Sequence, residues 1–198
     1  MRLNVARTLS GSAANGPGER FVVWVQGCPL GCQGCWNPDT WSFAGRDVRD
    51  LADLAAEILA TPGIEGVTFT GGEPFAQASA LAQLGRSARM AGLSVFVFSG
   101  YDLAELTSGP ALELLAETDV LVSGRYIERL RALDLPWRGS SNQEVHFLTS
   151  RYTPRDMESA PSVEIRIGRD AGISITGFPP EGLLLPRKRR RLSGPRGA

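Results

Sequence analysis

Apolar residues follow two rhythms along this chain. Phe21-Val22-Val23-Trp24-Val25 is an unbroken apolar, β-branched and aromatic run ended by Gly27, the pattern of a strand buried on both faces of a parallel sheet. From Asp47 to Leu59 the residues Val48, Leu51, Ala52, Ala55, Ile58 and Leu59 recur at helical spacing until Thr61-Pro62-Gly63 stops them, which predicts a helix over 47–59. Gly66 to Thr70 reads as a second strand, 75–91 as an Ala-rich helix ended near Gly92, and Leu93 to Phe98 as a third strand. A helical stretch over 102–117 and a fourth strand over 119–122 continue the alternation. Strands alternating with helices predict an α/β fold, with helices packed outside a parallel sheet.

After Arg125 this rhythm weakens. Val145 to Leu148 is a further candidate strand, while Val163–Ile167 and Gly172–Thr176 alternate with period two. The pair predicts a late hairpin or two edge strands rather than another helical unit. With no internal repeat and no long linker, residues 1–183 are expected to form one domain.

The 198 residues, 42% hydrophobic and 21% charged, exclude a largely disordered chain, and no apolar run reaches the length of a membrane span. Met1 to Val5 lacks the apolar core of a secretory signal, so the cytoplasm is the expected compartment. The net charge of zero is asymmetric. Arg187, Lys188, Arg189, Arg190, Arg191 and Arg196 put six basic residues and no acid into the last thirteen, leaving 15 basic against 21 acidic elsewhere, a net of −6. Residues 184–198 therefore read as a basic, solvated and disordered tail, although such a tail also suits nucleic acid or an acidic protein surface. Nothing in the body interleaves basic and aromatic residues as a nucleic-acid face would.

All three cysteines, Cys28, Cys32 and Cys35, fall within eight residues at spacing C-x3-C-x2-C. An odd count in one short loop cannot form a closed disulfide set, which leaves metal ligation as the main reading. Structural zinc wants four ligands, and the lone histidine, His146, lies 111 residues beyond Cys35. Iron–sulfur clusters are held by thiolates, and three thiolates on a four-iron cluster would leave one iron open to another ligand. Zinc and no metal at all remain the alternatives. The second motif, Gly71-Gly72-Glu73-Pro74, follows the second strand and precedes a helix. Ligands of parallel sheets bind at the carboxyl ends of strands, where both motifs sit. The glycines allow close backbone approach and the glutamate can accept hydrogen bonds from an ammonium group; taken alone, the segment is equally a tight turn with Pro74 at a first helical position.

Cys28-x3-Cys32-x2-Cys35 with Trp36 beside the last cysteine, followed by Gly-Gly-Glu-Pro, resembles the radical S-adenosylmethionine superfamily. More narrowly, residues 15–20 (Asn-Gly-Pro-Gly-Glu-Arg), 35–41 (Cys-Trp-Asn-Pro-Asp-Thr-Trp), 99–101 (Ser-Gly-Tyr) and 137–143 (Trp-Arg-Gly-Ser-Ser-Asn-Gln) resemble the activating proteins of anaerobic ribonucleotide reductase, a glycyl radical enzyme. These segments keep that family's order over roughly residues 4–150.

The resemblance implies a partial (β/α)6 barrel with a short extra β segment near the C-terminus, holding a [4Fe-4S] cluster on Cys28, Cys32 and Cys35. It implies that S-adenosylmethionine chelates the fourth iron, supported by Gly71, Gly72, Glu73 and Pro74, with Trp36 near the adenine, Ser99 a candidate ribose contact and Asn37 a further cofactor-binding residue. Reductive cleavage to methionine and a 5′-deoxyadenosyl radical would then remove hydrogen from a backbone glycine of the protein substrate, with electrons from a flavodoxin or ferredoxin. Two departures stand out: Ser123 occupies a position where the family pattern has aspartate, and the chain runs on beyond residue 155. These leave a radical maturase of a peptide or small molecule as the second reading and an iron–sulfur electron carrier as the third. A carrier usually ligates every iron with protein, which three cysteines cannot do. His146 reads as structural, Trp41 and Trp137 as packing aromatics with a substrate opening as the alternative, and Arg138 and Asn142 equally as turn residues or contacts.

Overall fold

A computed structural model describes residues 1–158, 161, 163–167 and 173–178. The chain runs through β1 (Arg2–Leu9), β2 (Arg20–Val25), β3 (Asp47–Asp50), α1 (Leu51–Ala60), β4 (Gly66–Gly71), α2 (Ala78–Met90), β5 (Ser94–Phe98), α3 (Gly109–Ala116), β6 (Val120–Ser123), β7 (Glu144–Phe147), β8 (Val163–Ile167) and β9 (Ile173–Gly177). Among the described residues, one sheet has the order β3-β1-β2-β4-β5-β6-β7, and β8 pairs with β9 as a separate antiparallel hairpin. The four central strands β2, β4, β5 and β6 are parallel. They are the strands predicted from the apolar runs, and all six residues of β2 are buried.

The flanks differ from the pattern reading. Residues 47–50 are a strand, not the first turn of a helix: they pair antiparallel with β1, and Val48 is 39% exposed rather than core-facing. The helix begins at Leu51, where the Asp50 carboxylate accepts from Ala52 N at 2.8 Å and caps an otherwise open N-terminus. β1 itself pairs antiparallel with β2, and β7 pairs antiparallel with β6, so the sheet is mixed at both edges. The predicted helices over 75–91 and 102–117 each open with a 3₁₀ turn, at Pro74–Gln77 and Leu103–Glu105.

All three helices pack on one face of the sheet. Leu54 and Ile58 of α1, Leu81 and Leu84 of α2, and Leu114 of α3 bury against Phe21, Val23, Val67, Phe69, Val95 and Leu121. On the opposite face Val22 and Trp24 meet Ala6, while Phe96, Val120 and Val122 meet Trp137. Among the described residues no helix covers this second face. Its residues near the carboxyl ends of the parallel strands, Trp24, Thr70 and Phe98, line a cleft. The predicted tail, 184–198, lies outside the described residues.

Candidate functional site

The parallel register sets Val25 of β2 beside Gly71 of β4, so the cysteine loop and the Gly-Gly-Glu-Pro turn leave the sheet side by side. They are joined there. Gly72 N donates to Val25 O at 2.8 Å and Glu73 N donates to Gly27 O at 2.9 Å. Gly71 holds φ at +101°, and a Cβ on Gly72 would collide with the carbonyl oxygen of Gly27, so the approach of the two loops requires glycine at both positions. Further along, Gly27 N donates to Thr40 O at 2.8 Å and Cys28 N to Trp41 O at 3.1 Å, which fixes the base of the cysteine loop.

Cys28, Cys32 and Cys35 are free, partly exposed, and line one cleft of about 250 Å³. Asn37 N donates to Cys35 Sγ at 3.4 Å. Burial pushes the Cys28 and Cys32 thiols above their ordinary pKa, more than the nearby backbone N–H groups pull them down. Among the described residues no three Cys, His, Asp or Glu side chains gather as ligands of a single ion would. Such ligands must all reach within about 2.3 Å of one centre, whereas a cluster is gripped by thiolates spread around a bulky body. Three thiols on the wall of one cleft are a donor set that fits an iron–sulfur cluster.

Glu73 is 1% exposed and already committed. Its Oε1 accepts from Phe75 N at 2.9 Å and from Ser99 Oγ at 2.9 Å, and its Oε2 accepts from Gly100 N at 2.8 Å. Burial nevertheless dominates those three bonds and lifts the carboxyl to about 7. Glu73 thus ties the end of β4 to the end of β5, and the Ser99 hydroxyl is spent on that tie and on accepting from Tyr101 N at 3.0 Å. Glu73, Ser99, Gly71, Gly72, Trp36 and Asn37 all line the cleft. Pro74 is buried in the turn and is absent from the lining.

The cleft also holds residues that motif reading missed. Arg7, from β1, stacks its guanidinium 4.5 Å from the Trp24 ring and donates to Asn37 Oδ1 at 2.8 Å. Among the described residues it is the only cationic side chain in the lining, as Glu73 is the only carboxyl. Asn15, Gly124, Tyr126, Gly139, Gln143 and the segment Ile175–Phe178 complete further parts of the wall. Gln143 Oε1 accepts from Gly139 N at 2.8 Å and Ser140 N at 3.2 Å, and its Nε2 donates to Gly124 O at 2.9 Å, so this amide shapes the loop that carries Gly139. The Trp36 indole N–H is buried without a partner among the described residues.

The remaining candidates lie elsewhere. Trp137 packs edge-on against Phe96, with centroids 5.1 Å apart, and Trp41 does not reach the cleft. His146 Nε2 sits 2.8 Å from Ser123 Oγ, a β6–β7 pairing outside the lining, which gives the unexpected serine a partner. Asn142 donates to Arg125 O at 2.9 Å as a turn residue, and Arg138 is also outside the cleft.

Comparison with known proteins places the chain in a family. Residues 14–146 match the family model described as a 4Fe-4S single cluster domain. The anaerobic ribonucleoside-triphosphate reductase-activating protein of Vibrio cholerae is 36% identical over 143 residues, covering 68% of this chain and 92% of that protein. The proteins of the same name from Escherichia coli K12 and phage T4 are each 32% identical, over 149 and 154 residues, covering 68% and 72% of this chain and 92% and 93% of theirs. Among solved structures, QueE from Escherichia coli aligns at a TM-score of 0.39 and 20% identity over 50% of this chain and 53% of its own, a likeness too slight to carry an argument. By the length and identity of these matches, the chain belongs to the family of anaerobic ribonucleoside-triphosphate reductase-activating proteins.

Proposed function

We propose that the chain is a radical S-adenosylmethionine enzyme that activates a glycyl radical enzyme, the anaerobic ribonucleotide reductase. The observation that carries this reading is the junction of its two motifs, three cysteines and a Gly-Gly-Glu turn hydrogen-bonded together at the rim of one cleft. Cys28, Cys32 and Cys35 would hold a [4Fe-4S] cluster, and Trp36, Asn37, Gly71, Gly72, Glu73, Pro74 and Ser99 would bind or support S-adenosylmethionine. When bound, these groups supply a one-electron reductive cleavage of the sulfonium that delivers a hydrogen-abstracting alkyl radical.

The protein's own contribution is binding, orientation and exclusion of water. Gly72 and Glu73 fix the turn against the cysteine loop, so ligands held by the two motifs keep one mutual geometry. Arg7 offers a positive charge to the methionyl carboxylate, while Glu73, held by Phe75 N, Ser99 Oγ and Gly100 N, keeps the turn in place. Trp24, Phe98 and Tyr126 make the wall apolar, which protects a reactive species from solvent. We read the four parallel strands as part of a partial (β/α)6 barrel whose uncovered face admits a glycine-bearing loop. Residues 1–183 then act as one domain with 184–198 as an appended basic tail, working in the cytoplasm with a flavodoxin or ferredoxin as reductant. Among the described residues no helix is long and apolar enough to cross a membrane.

Anaerobic reconstitution with iron, sulfide, reductant and S-adenosylmethionine should yield 5′-deoxyadenosine. Cys32→Ala should lose both the visible iron–sulfur absorption and that product, each by more than tenfold. Retention of both in the variant would remove the cluster assignment, and no 5′-deoxyadenosine from cluster-loaded wild type would remove the enzyme assignment.

A further inference from the structure

The β8–β9 hairpin lies outside the matched family region, residues 14–146. The alignment to the Vibrio cholerae relative uses 92% of that protein and still leaves about a third of this chain without a counterpart. The hairpin is docked by its polar side. Glu164 accepts from Ser12 Oγ, Thr176 Oγ1 accepts from Asn15 Nδ2 at 2.9 Å, and Arg166 lies 3.5 Å from Glu19. On its other face Ile165, Ile167 and Ile173 stand 50%, 75% and 52% exposed. A hairpin attached for core stability would turn these isoleucines inward. Here the polar ties set the position instead, and they bring Ile175, Thr176, Gly177 and Phe178 onto the cleft.

Phe178 stands edge-on to Trp36, at 6.0 Å and 84°, and to Phe98, at 6.3 Å and 61°. Gly139 lies where these rings converge: a Cβ there would fall 3.1 Å from Trp36 Nε1, 3.1 Å from Tyr126 and 3.2 Å from Phe178. The buried Trp36 N–H, without a partner among the described residues, borders the same space. The three rings and the Gly139 backbone meet too closely to leave room for a methyl group, so they form one continuous aromatic wall of the cleft rather than an opening between rings.

We propose that the β8–β9 hairpin is a wall of the ligand site in this chain, with Phe178 packed edge-on against Trp36 and Phe98 to complete an aromatic surface on which the purine ring of a nucleoside ligand rests. The proposal deepens the S-adenosylmethionine reading and rests on it. Full-length, cluster-loaded protein should be titrated anaerobically with S-adenosylmethionine and with non-cleavable S-adenosylhomocysteine. Phe178→Ala should weaken both about tenfold while leaving the iron–sulfur absorption unchanged, Phe178→Tyr should restore binding, and Ile167→Ser on the exposed face should match wild type. In wild type, amide hydrogen exchange of the peptide containing 173–178 should slow when S-adenosylhomocysteine is added. This readout needs no variant. Binding by Phe178→Ala within twofold of wild type, or tighter, or no protection of 173–178 in ligand-bound wild type, would overturn the proposal while the functional reading stands. Wild type that carries its cluster and binds neither probe would overturn both.

Discussion

Glu73 and Arg20 show how buried charge is handled around this site. Arg20, the last residue of the Gly-Pro-Gly-Glu-Arg segment, is fully buried and donates to Thr68 Oγ1, Pro17 O, Ser94 Oγ, Val67 O and Ser94 O. It therefore stitches the loop before β2 to β4 and β5, and burial draws its pKa down to about 10. That motif residue serves architecture, not ligand binding. Glu73 has the same architectural duty beside the cleft, and its burial carries a consequence for pH. With its pKa raised from 4.5 to about 7, the folded apoprotein keeps a proton that the unfolded chain has released across that interval. Stability contributed by this proton is present at low pH and falls as pH rises through the interval. Glu73→Gln, which cannot titrate, should flatten that pH slope in urea unfolding of the apoprotein. An unchanged slope in the variant would assign the pH dependence to other groups.

At the scale of elements, β2, β4, β5 and β6 were legible because a strand buried on both faces is rich in apolar and β-branched residues, whatever it pairs with. Strand β1 was not, since Arg2, Asn4 and Arg7 interrupt its apolar residues and its pairing with β2 and β3 is set by distant chain. Asp47–Asp50 misled for a related reason. Val48 extends the helical spacing of α1 by accident of position, and tertiary pairing to β1 overrides local propensity. The two motif loops were legible individually from Cys28, Cys32, Cys35 and Gly71-Gly72-Glu73. Their direct hydrogen bonding depends on the β2–β4 register, which no local pattern encodes. Gly72→Ala tests that junction: its Cβ must displace the Gly27 carbonyl, which should lower stability by about 2 kcal/mol and weaken S-adenosylmethionine binding more than tenfold, with cluster loading also reduced. Normal stability and normal binding in this variant would mean that the loops do not depend on their close approach.

For the whole molecule, the division of faces is the governing feature. Helices cover one side of the sheet with a continuous apolar core, and the other side is left to the cleft, the loops over 12–19 and 124–143, and the hairpin. Arg7 and Asn15, Gly139, and Phe178 come from three distant parts of the chain, so their assembly could not be read from spacing, whereas the chemistry of the cysteines could. An open cleft on an uncovered face is where a large partner would present a loop. The most direct test of the account mixes cluster-loaded protein, reductant, S-adenosylmethionine and an anaerobic ribonucleotide reductase under anaerobic conditions, and reads the reductase by electron paramagnetic resonance alongside 5′-deoxyadenosine. The account predicts a glycine-centred radical on the reductase that grows in step with 5′-deoxyadenosine; formation of 5′-deoxyadenosine with no radical on the reductase would contradict it.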